Sequence, residues 1–154
     1  MPVLASGEVL FTVRSATLPH HGGQISFPGG MQEPGETPEA AALREAWEEV
    51  ALPPEAVEVL GRLDQTTSPF GFRITPVVGW IPHLPDLSPN PAEVARILRV
   101  PFAELLGAPA WAEVREHAGR KRQVWHYPWR GYDIWGVTGN IVHDLLTRYR
   151  ETNA

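Results

Sequence analysis

Three glutamates, Glu45, Glu48 and Glu49, sit together in the stretch "ALREAWEEV", residues 42–50. The stretch reads as helix. At about 100° per residue, Leu43, Ala46, Trp47 and Val50 form an apolar stripe, and Arg44, Glu45, Glu48 and Glu49 fall opposite it. A charged side can simply face water, but these charges are poorly arranged for that. Glu45 and Glu49 are spaced i,i+4 and Glu45 and Glu48 i,i+3, like-charge spacings that each cost roughly a few tenths of a kcal/mol. Arg44 can relieve Glu48 at i,i+4, and no base is placed to relieve Glu45. Carboxylates near a helix C-terminus also oppose the helix dipole. A divalent cation reverses the sign of all these terms, and hard cations such as Mg²⁺ prefer carboxylate oxygens. Upstream, "FPGG" (residues 27–30) places Gly29 and Gly30 where a ligand or metal can approach the backbone closely. Arg14 precedes that glycine-rich loop and can bind a phosphate bidentately or serve as a structural ion pair.

These groups need elements to position them. Thr37 and Pro38 mark a helix start as N-cap and first helical residue, and Pro53-Pro54 are expected to stop the helix after about Val50. Residues 9–13 read as a strand, with 1–5 as a partner, and the Gly- and Pro-rich segment 18–36 reads mostly as loop. Strands are predicted at 57–63 and 73–81, separated by a "TTSPFGF" turn, and at 94–100. A short helix is predicted at 101–106, a hairpin turning near Gly119, and a closing amphipathic helix over 138–150 with Ile141, Val142, Leu145 and Leu146 on one face. Strands in series with two substantial helices imply an α/β fold, a mixed sheet covered by helices.

The bulk properties bound the function. The chain's 154 residues suit one domain, 1–154, with a real core. No apolar run approaches the roughly 20 residues of a membrane helix, and no basic flank precedes an apolar N-terminal stretch, so neither a membrane nor a secretory signal is expected. The absence of cysteine excludes disulfides, thiolate nucleophiles and cysteine-ligated zinc, and fits a cytoplasmic protein. A formal charge of -5 disfavours non-specific nucleic-acid binding. An acidic protein handling a phosphorylated ligand needs local positive charge, which a metal ion can supply.

The spacing Gly30, five residues, Glu36, seven residues, then Arg44-Glu45-Ala46-Trp47-Glu48-Glu49-Val50-Ala51-Leu52 resembles the Nudix box, G-x5-E-x7-R-E-U-x-E-E-x-G-U, about residues 30–52. Ala51 replaces the final glycine and Ala46 is small for its slot. Upstream, Leu10, Thr12, Arg14, Ser15, Gly23 and Phe27-Pro28-Gly29-Gly30 resemble the extra motif of the coenzyme A pyrophosphatase branch, with Pro19 where that motif has its second arginine. The resemblance implies a Nudix α/β/α sandwich with a mixed β-sheet and a loop–helix–loop box. It implies hydrolysis of a small-molecule nucleotide diphosphate with Mg²⁺ or Mn²⁺, Glu45 and Glu49 being the principal metal ligands and Glu48 contributing. Arg44 would pair with a carboxylate, and Glu36 would brace the loop or reach a metal through water. Glu93 in "NPAEV" would be a loop carboxylate at the metals, and His21 and Gln24 would contact substrate or order their loop. A carboxylate must take the attacking water's proton, and Glu45, Glu49 and Glu93 are the candidates.

The leading substrate expectation is coenzyme A, cleaved to 4′-phosphopantetheine and adenosine 3′,5′-bisphosphate. The alternatives are ADP-ribose or another nucleotide diphosphate, a non-catalytic nucleotide-binding module, and, least favoured by the acidic balance, RNA processing. A homodimer is compatible with these readings. "GRKRQ" (residues 119–123) reads as a solvated hairpin tip or a clamp for a substrate phosphate. The six tryptophans read mostly as core, with Trp80, Trp125 or Trp129 able to stack on a base, and His20, His83, His117, His126 and His143 as ordinary surface or core residues.

Overall fold

The computed structural model describes residues 1–154. In chain order the elements are β1 (Pro2–Leu4), β2 (Glu8–Arg14), β3 (Ile25–Ser26), α1 (Pro38–Val50), a 3₁₀ turn (Pro54–Ala56), β4 (Glu58–Arg62), β5 (Thr66–Thr67), β6 (Arg73–Ile74), β7 (Val77–Ile81), β8 (Val94–Pro101), α2 (Phe102–Gly107), β9 (Trp111–His117), β10 (Arg120–Trp129), β11 (Tyr132–Trp135) and α3 (Gly136–Thr152). Two compact units are distinguished, one of residues 1–62 and 77–102 and one of residues 63–76 and 103–154.

The first unit is built on a mixed six-stranded sheet, ordered β3-β2-β1-β7-β4 with β8 along β2. The β1–β7 pair is parallel and the other pairs are antiparallel. Strand β2 is the spine. Its Val9, Leu10 and Phe11 are buried, as expected of a strand covered on both faces. Leu4, Leu10, Ala46, Val50, Leu52 and Ile81 form the core cluster that docks α1 on this sheet.

Helix α1 begins as the sequence indicates. Thr37 is extended and its side chain accepts the Ala40 N–H at 3.1 Å, with Pro38 in the first turn. The helix also ends at Val50, as expected, but the prolines are not what stops it. The helix stops at Ala51, in the left-handed region at φ 58°, before the prolines are reached. The Ala51 N–H donates to Trp47 O at 3.0 Å and the Leu52 N–H to Ala46 O at 3.3 Å, a cap that glycine forms without strain. Ala51→Gly is therefore expected to stabilise the protein by roughly 0.5–1 kcal/mol, read as a rise of about 2–3 °C in Tm.

The buried stripe of α1 also differs. Ala41, Ala46, Glu49 and Val50 are buried, while Trp47 is 54% exposed. The helix meets the sheet through small residues and turns Glu49 inward, towards the glycine loop. Two strands also differ from the expectation. Residues 66–72, expected as a plain turn, belong to a hairpin in which β5 pairs β6, Thr66 opposite Ile74. The strand expected from residue 73 resumes as β7 only after Pro76, which has no N–H to give a ladder.

The second unit carries the antiparallel meander β9-β10-β11 and helix α3. Both hairpins turn through two residues of positive φ, Ala118-Gly119 and Arg130-Gly131, the twist that two-residue hairpins require. Tyr127, Ile134, Ile141, Val142 and Leu146 are buried. The expected tryptophan core is not found. Trp47 and Trp111 are exposed, and Trp80, Trp125, Trp129 and Trp135 are only partly covered. Helix α3 lies so close to β10 that a Cβ on Gly139 would collide with the Trp125 carbonyl oxygen. Backbone cannot yield there, so Gly139→Ala is expected to cost about 2 kcal/mol, measurable as a fall of roughly 4–8 °C in Tm.

Candidate active site

The glycine loop and α1 are clasped together by one arginine. Arg44 donates to both oxygens of Glu36, Nε to Oε1 at 2.7 Å and Nη2 to Oε2 at 3.0 Å, in the fork geometry that suits carboxylates. Its Nη2 also donates to Met31 O at 2.9 Å, and its Nη1 reaches Glu45 Oε1 at 3.0 Å and Glu48 Oε2 at 3.3 Å. Glu36 in turn accepts the Glu33 N–H at 2.8 Å. The Arg44 guanidinium, first, and that N–H hold the Glu36 carboxyl down at about 2. Glu45 is thus not left without basic relief, as the helix alone suggests. The loop folds over the helix and draws Arg44 onto it.

Glu49 is 7% exposed and has no arginine or lysine within ion-pair distance. Burial, then the charges of Glu45 and Glu93, push its carboxyl up to about 8, against the opposing pull of the Gly29 N–H and Arg14. Glu45 is also raised, by burial first, with Arg44 opposing. Groups displaced in this way mark places where charge is expected to arrive.

Glu93 comes from a loop distant in sequence. Two contacts bring it in. The Ser88 and Asn90 N–H groups donate to Val50 O and Glu49 O at 3.0 and 2.8 Å, using the unpaired carbonyls at the end of α1. The Ser15 N–H then takes Glu93 O at 2.9 Å, tying the loop to the end of β2. Between β2 and β8 the register shifts at Val13/Arg14, so that Arg14 pairs with Val94. A bulge of this kind re-aims a side chain beside a site. Arg14 Nε is buried and has no hydrogen-bond partner.

These pieces line one cavity of about 220 Å³, formed by Thr12, Arg14, Leu18, Gly29, Gly30, Glu45, Glu49, Glu93 and Val94. Of the residues expected from sequence, Arg14, Gly29, Gly30, Glu45, Glu49 and Glu93 are brought together there. Glu48 is half exposed, on the Arg44 side of the helix. His21 and Gln24 are outside the lining, and their backbones close the loop instead. His21 sits at φ 58°, its carbonyl accepts the Gln24 N–H at 3.2 Å, and Gln24 O accepts the Arg14 N–H at 2.9 Å. Thr12, missed by the sequence reading, lies two residues before Arg14, on the same face of an alternating strand.

The donor set for a cation is all carboxylate oxygen, which suits Mg²⁺ or Mn²⁺. Glu49 offers a buried carboxylate with no cationic partner, and Gly30 leaves room for the Glu45 carboxylate, whose Cδ lies 2.5 Å from where a Cβ would stand. No three acidic or imidazole side chains converge on one point as the chain stands. Glu45 and Glu49 present carboxylate oxygens of the kind such a cation takes.

A mixed α/β fold that gathers carboxylates from a loop–helix unit around an arginine is the arrangement that the box-like spacing of residues 30–52 implies. The chain belongs to the Nudix family, the family model described as NUDIX domain matching residues 2–127. It is 42% identical over 149 residues to a protein of Photorhabdus laumondii named "Uncharacterized Nudix hydrolase NudL", covering 94% of this chain and 80% of the relative. It is 44% identical over 141 residues to a Klebsiella pneumoniae protein of the same name, covering 89% and 72%. Among solved structures, the Nudix hydrolase RenU of M. smegmatis superposes with a TM-score of 0.59 at 23% identity, covering 99% of this chain and 80% of that one. The chain is therefore a Nudix hydrolase, which sets aside the non-catalytic alternative. Nudix hydrolases generally use divalent metal ions such as Mg²⁺ or Mn²⁺. No helix is long and apolar enough to cross a membrane.

Proposed function

We propose that the chain is a single Nudix hydrolase domain that cleaves the diphosphate of coenzyme A, giving 4′-phosphopantetheine and adenosine 3′,5′-bisphosphate. The observation that carries this reading is Arg14. Its buried, unpartnered Nε lies in the same cavity as Glu45, Glu49 and Glu93. A buried guanidinium donor without an acceptor is costly, and a phosphate oxygen satisfies it. Arg14 and Thr12 belong to the upstream stretch that resembles the coenzyme A pyrophosphatase branch, and that stretch forms one wall of the cavity.

Glu45 and Glu49 would hold Mg²⁺ or Mn²⁺, with Glu48 lending charge from the outer side. Once bound, the dication screens the carboxylates, polarises the phosphoryl oxygens and acidifies water. Arg14 orients one phosphate of the substrate. Arg44 keeps Glu45 in place through its contacts with Glu36 and the Met31 carbonyl. Glu93, on its own loop, then remains to take the proton of the attacking water on a carboxylate oxygen. The Gly29 N–H faces the Glu49 carboxylate and favours its charged form.

One observation favours a second substrate. Pro19 stands where the resembling motif has an arginine, so a fixed charge able to distinguish a 3′-phosphate is missing. ADP-ribose needs no such charge. The deciding experiment compares kcat/KM for coenzyme A, dephospho-coenzyme A, ADP-ribose and NADH, with Mg²⁺ and Mn²⁺ titrated in. Preference for coenzyme A over its dephospho form supports the proposal, and clear preference for ADP-ribose replaces it.

A further inference from the structure

We propose that β9 is a self-recognition edge, and that two copies of this chain join antiparallel along it about a dyad through Val114. Strand β9 is the terminal strand of its sheet, and seven consecutive residues, Trp111 to His117, pair with β10 without a bulge. No proline or lysine interrupts it, and Val114 at its centre is 68% exposed. A long, regular edge of this kind is a template for another strand unless something blocks it.

The pairing pattern says which groups are on offer. His117 and Arg120 flank a two-residue turn and form the hydrogen-bonded pair beside it, so the residues at 117, 115, 113 and 111 spend their backbone groups on β10. The N–H and C=O groups of Ala112, Val114 and Glu116 therefore point away from the sheet. A dyad through Val114 sets Val114 opposite its own copy and Ala112 opposite Glu116 of the second copy, all as hydrogen-bonded pairs.

Charge selects that register. Glu113 and Arg115 lie on one face of β9 and already pair at 2.7 Å. With the dyad at Val114, each Glu113 faces Arg115 of the second copy, and the four charges close a ring of alternating sign. Trp111, 48% exposed, faces His117 of the second copy. A dyad at Glu113, Arg115 or Glu116 puts like charges directly opposite, which destabilises a pair. A dyad at Ala112 loses the Glu113–Arg115 cross-pairs. The edge is thus complementary to itself, and most completely in one register.

The test uses the full chain. Sedimentation or light scattering at high micromolar concentration is expected to give twice the 17.1 kDa chain mass. Val114→Pro removes an outward N–H and leaves the β9–β10 ladder intact, so it should yield a folded monomer. The chain has no cysteine, which makes a single introduced thiol diagnostic. In this register Val114→Cys brings two thiols onto Cα positions about 5.5 Å apart, within disulfide range, whereas Ala112→Cys leaves its copies about 14 Å apart. Oxidative cross-linking of Val114→Cys should be faster by roughly 10–100-fold. Should Val114→Pro not fold, Arg115→Glu, which turns the ring into like charges, is expected to give the monomer. A wild-type monomer throughout that concentration range would overturn the proposal. So would a dimer that survives these variants and cross-links equally from both positions.

Discussion

Replacing Glu49 with glutamine is expected to make the metal-free protein more stable while removing most of its activity. The substitution keeps shape and takes away the charge. In the unfolded chain this carboxyl ionises near its ordinary 4.5, but in the folded protein burial and the neighbouring Glu45 and Glu93 hold the proton on to about 8. Between those values the folded state binds more protons than the unfolded state, so stability falls as pH rises through the window. The penalty is complete above about pH 8 and absent below about 4.5. A shift of that size corresponds to an upper bound of about 4–5 kcal/mol, and relaxation and water entry leave on the order of 2 kcal/mol. Measured in chelator, wild-type Tm should therefore decline from pH 5 to pH 8, and the Glu49→Gln curve should be flatter and lie above it at pH 8.

Activity should move the other way. With Glu49 as a proposed ligand of the dication, its loss should remove several kcal/mol of charge stabilisation, an expected fall of about 100-fold or more in kcat. Added Mg²⁺ should release protons from the wild type at neutral pH and fewer from the variant. A variant that turns over at the wild-type rate with saturating metal would remove Glu49 from the ligand set. A Tm that does not depend on Glu49 at pH 8 would show that its burial is not costly. The two readouts are independent, so each half of the expectation stands or falls separately.

That buried charge is also where the sequence stops being a guide. Helical periodicity around Leu43, Ala46 and Val50 locates the sheet-facing side, and Thr37-Pro38 locates the start of α1. Periodicity assumes one apolar environment, however, and α1 has two neighbours. The sheet takes Ala46 and Val50, and the glycine loop takes Glu49, which leaves Trp47 outside. The Arg44–Glu45 contact is hidden for a similar reason. Adjacent residues do not face one another on a helix, and only a loop folded over the turn lets Arg44 serve Glu36, Glu45 and Glu48 together. Spacing singles out Glu45 and Glu49 as candidates, but the arrival of Glu93 depends on two N–H groups finding carbonyls at the end of α1. Such contacts leave no composition signal. Strand β11 is only Tyr132–Trp135, and a run of four residues carries little alternation to read.

Gly30 allows the sharpest separation of site from scaffold. Its backbone is outside the left-handed region, so alanine is sterically allowed by the chain itself. A Cβ there would lie 2.5 Å from Cδ and Oε1 of Glu45 and 2.9 Å from Oε2. The obstacle is thus the end of a side chain, and the fold can yield by swinging that carboxylate away. Stability should suffer little. The Arg44–Glu45 pair that is broken belongs to a partly exposed network and is worth about 1 kcal/mol or less. Function should suffer greatly, because a displacement of about 1 Å at a reacting centre can cost about 100-fold. Gly30→Ala is accordingly expected to lower kcat/KM by roughly 100-fold and to weaken the apparent metal affinity, with Tm changed by only about 2–3 °C. Gly29 provides the matched control. A Cβ on it would meet only the Phe27 carbonyl oxygen, at 4.0 Å, and its N–H would still reach Glu49. Gly29→Ala leaves the Glu45 carboxylate where it is, so it should keep the apparent metal affinity that Gly30→Ala loses. If both variants lose activity alike, the loop needs glycine for motion, and if neither does, Glu45 is not held where the chemistry requires it.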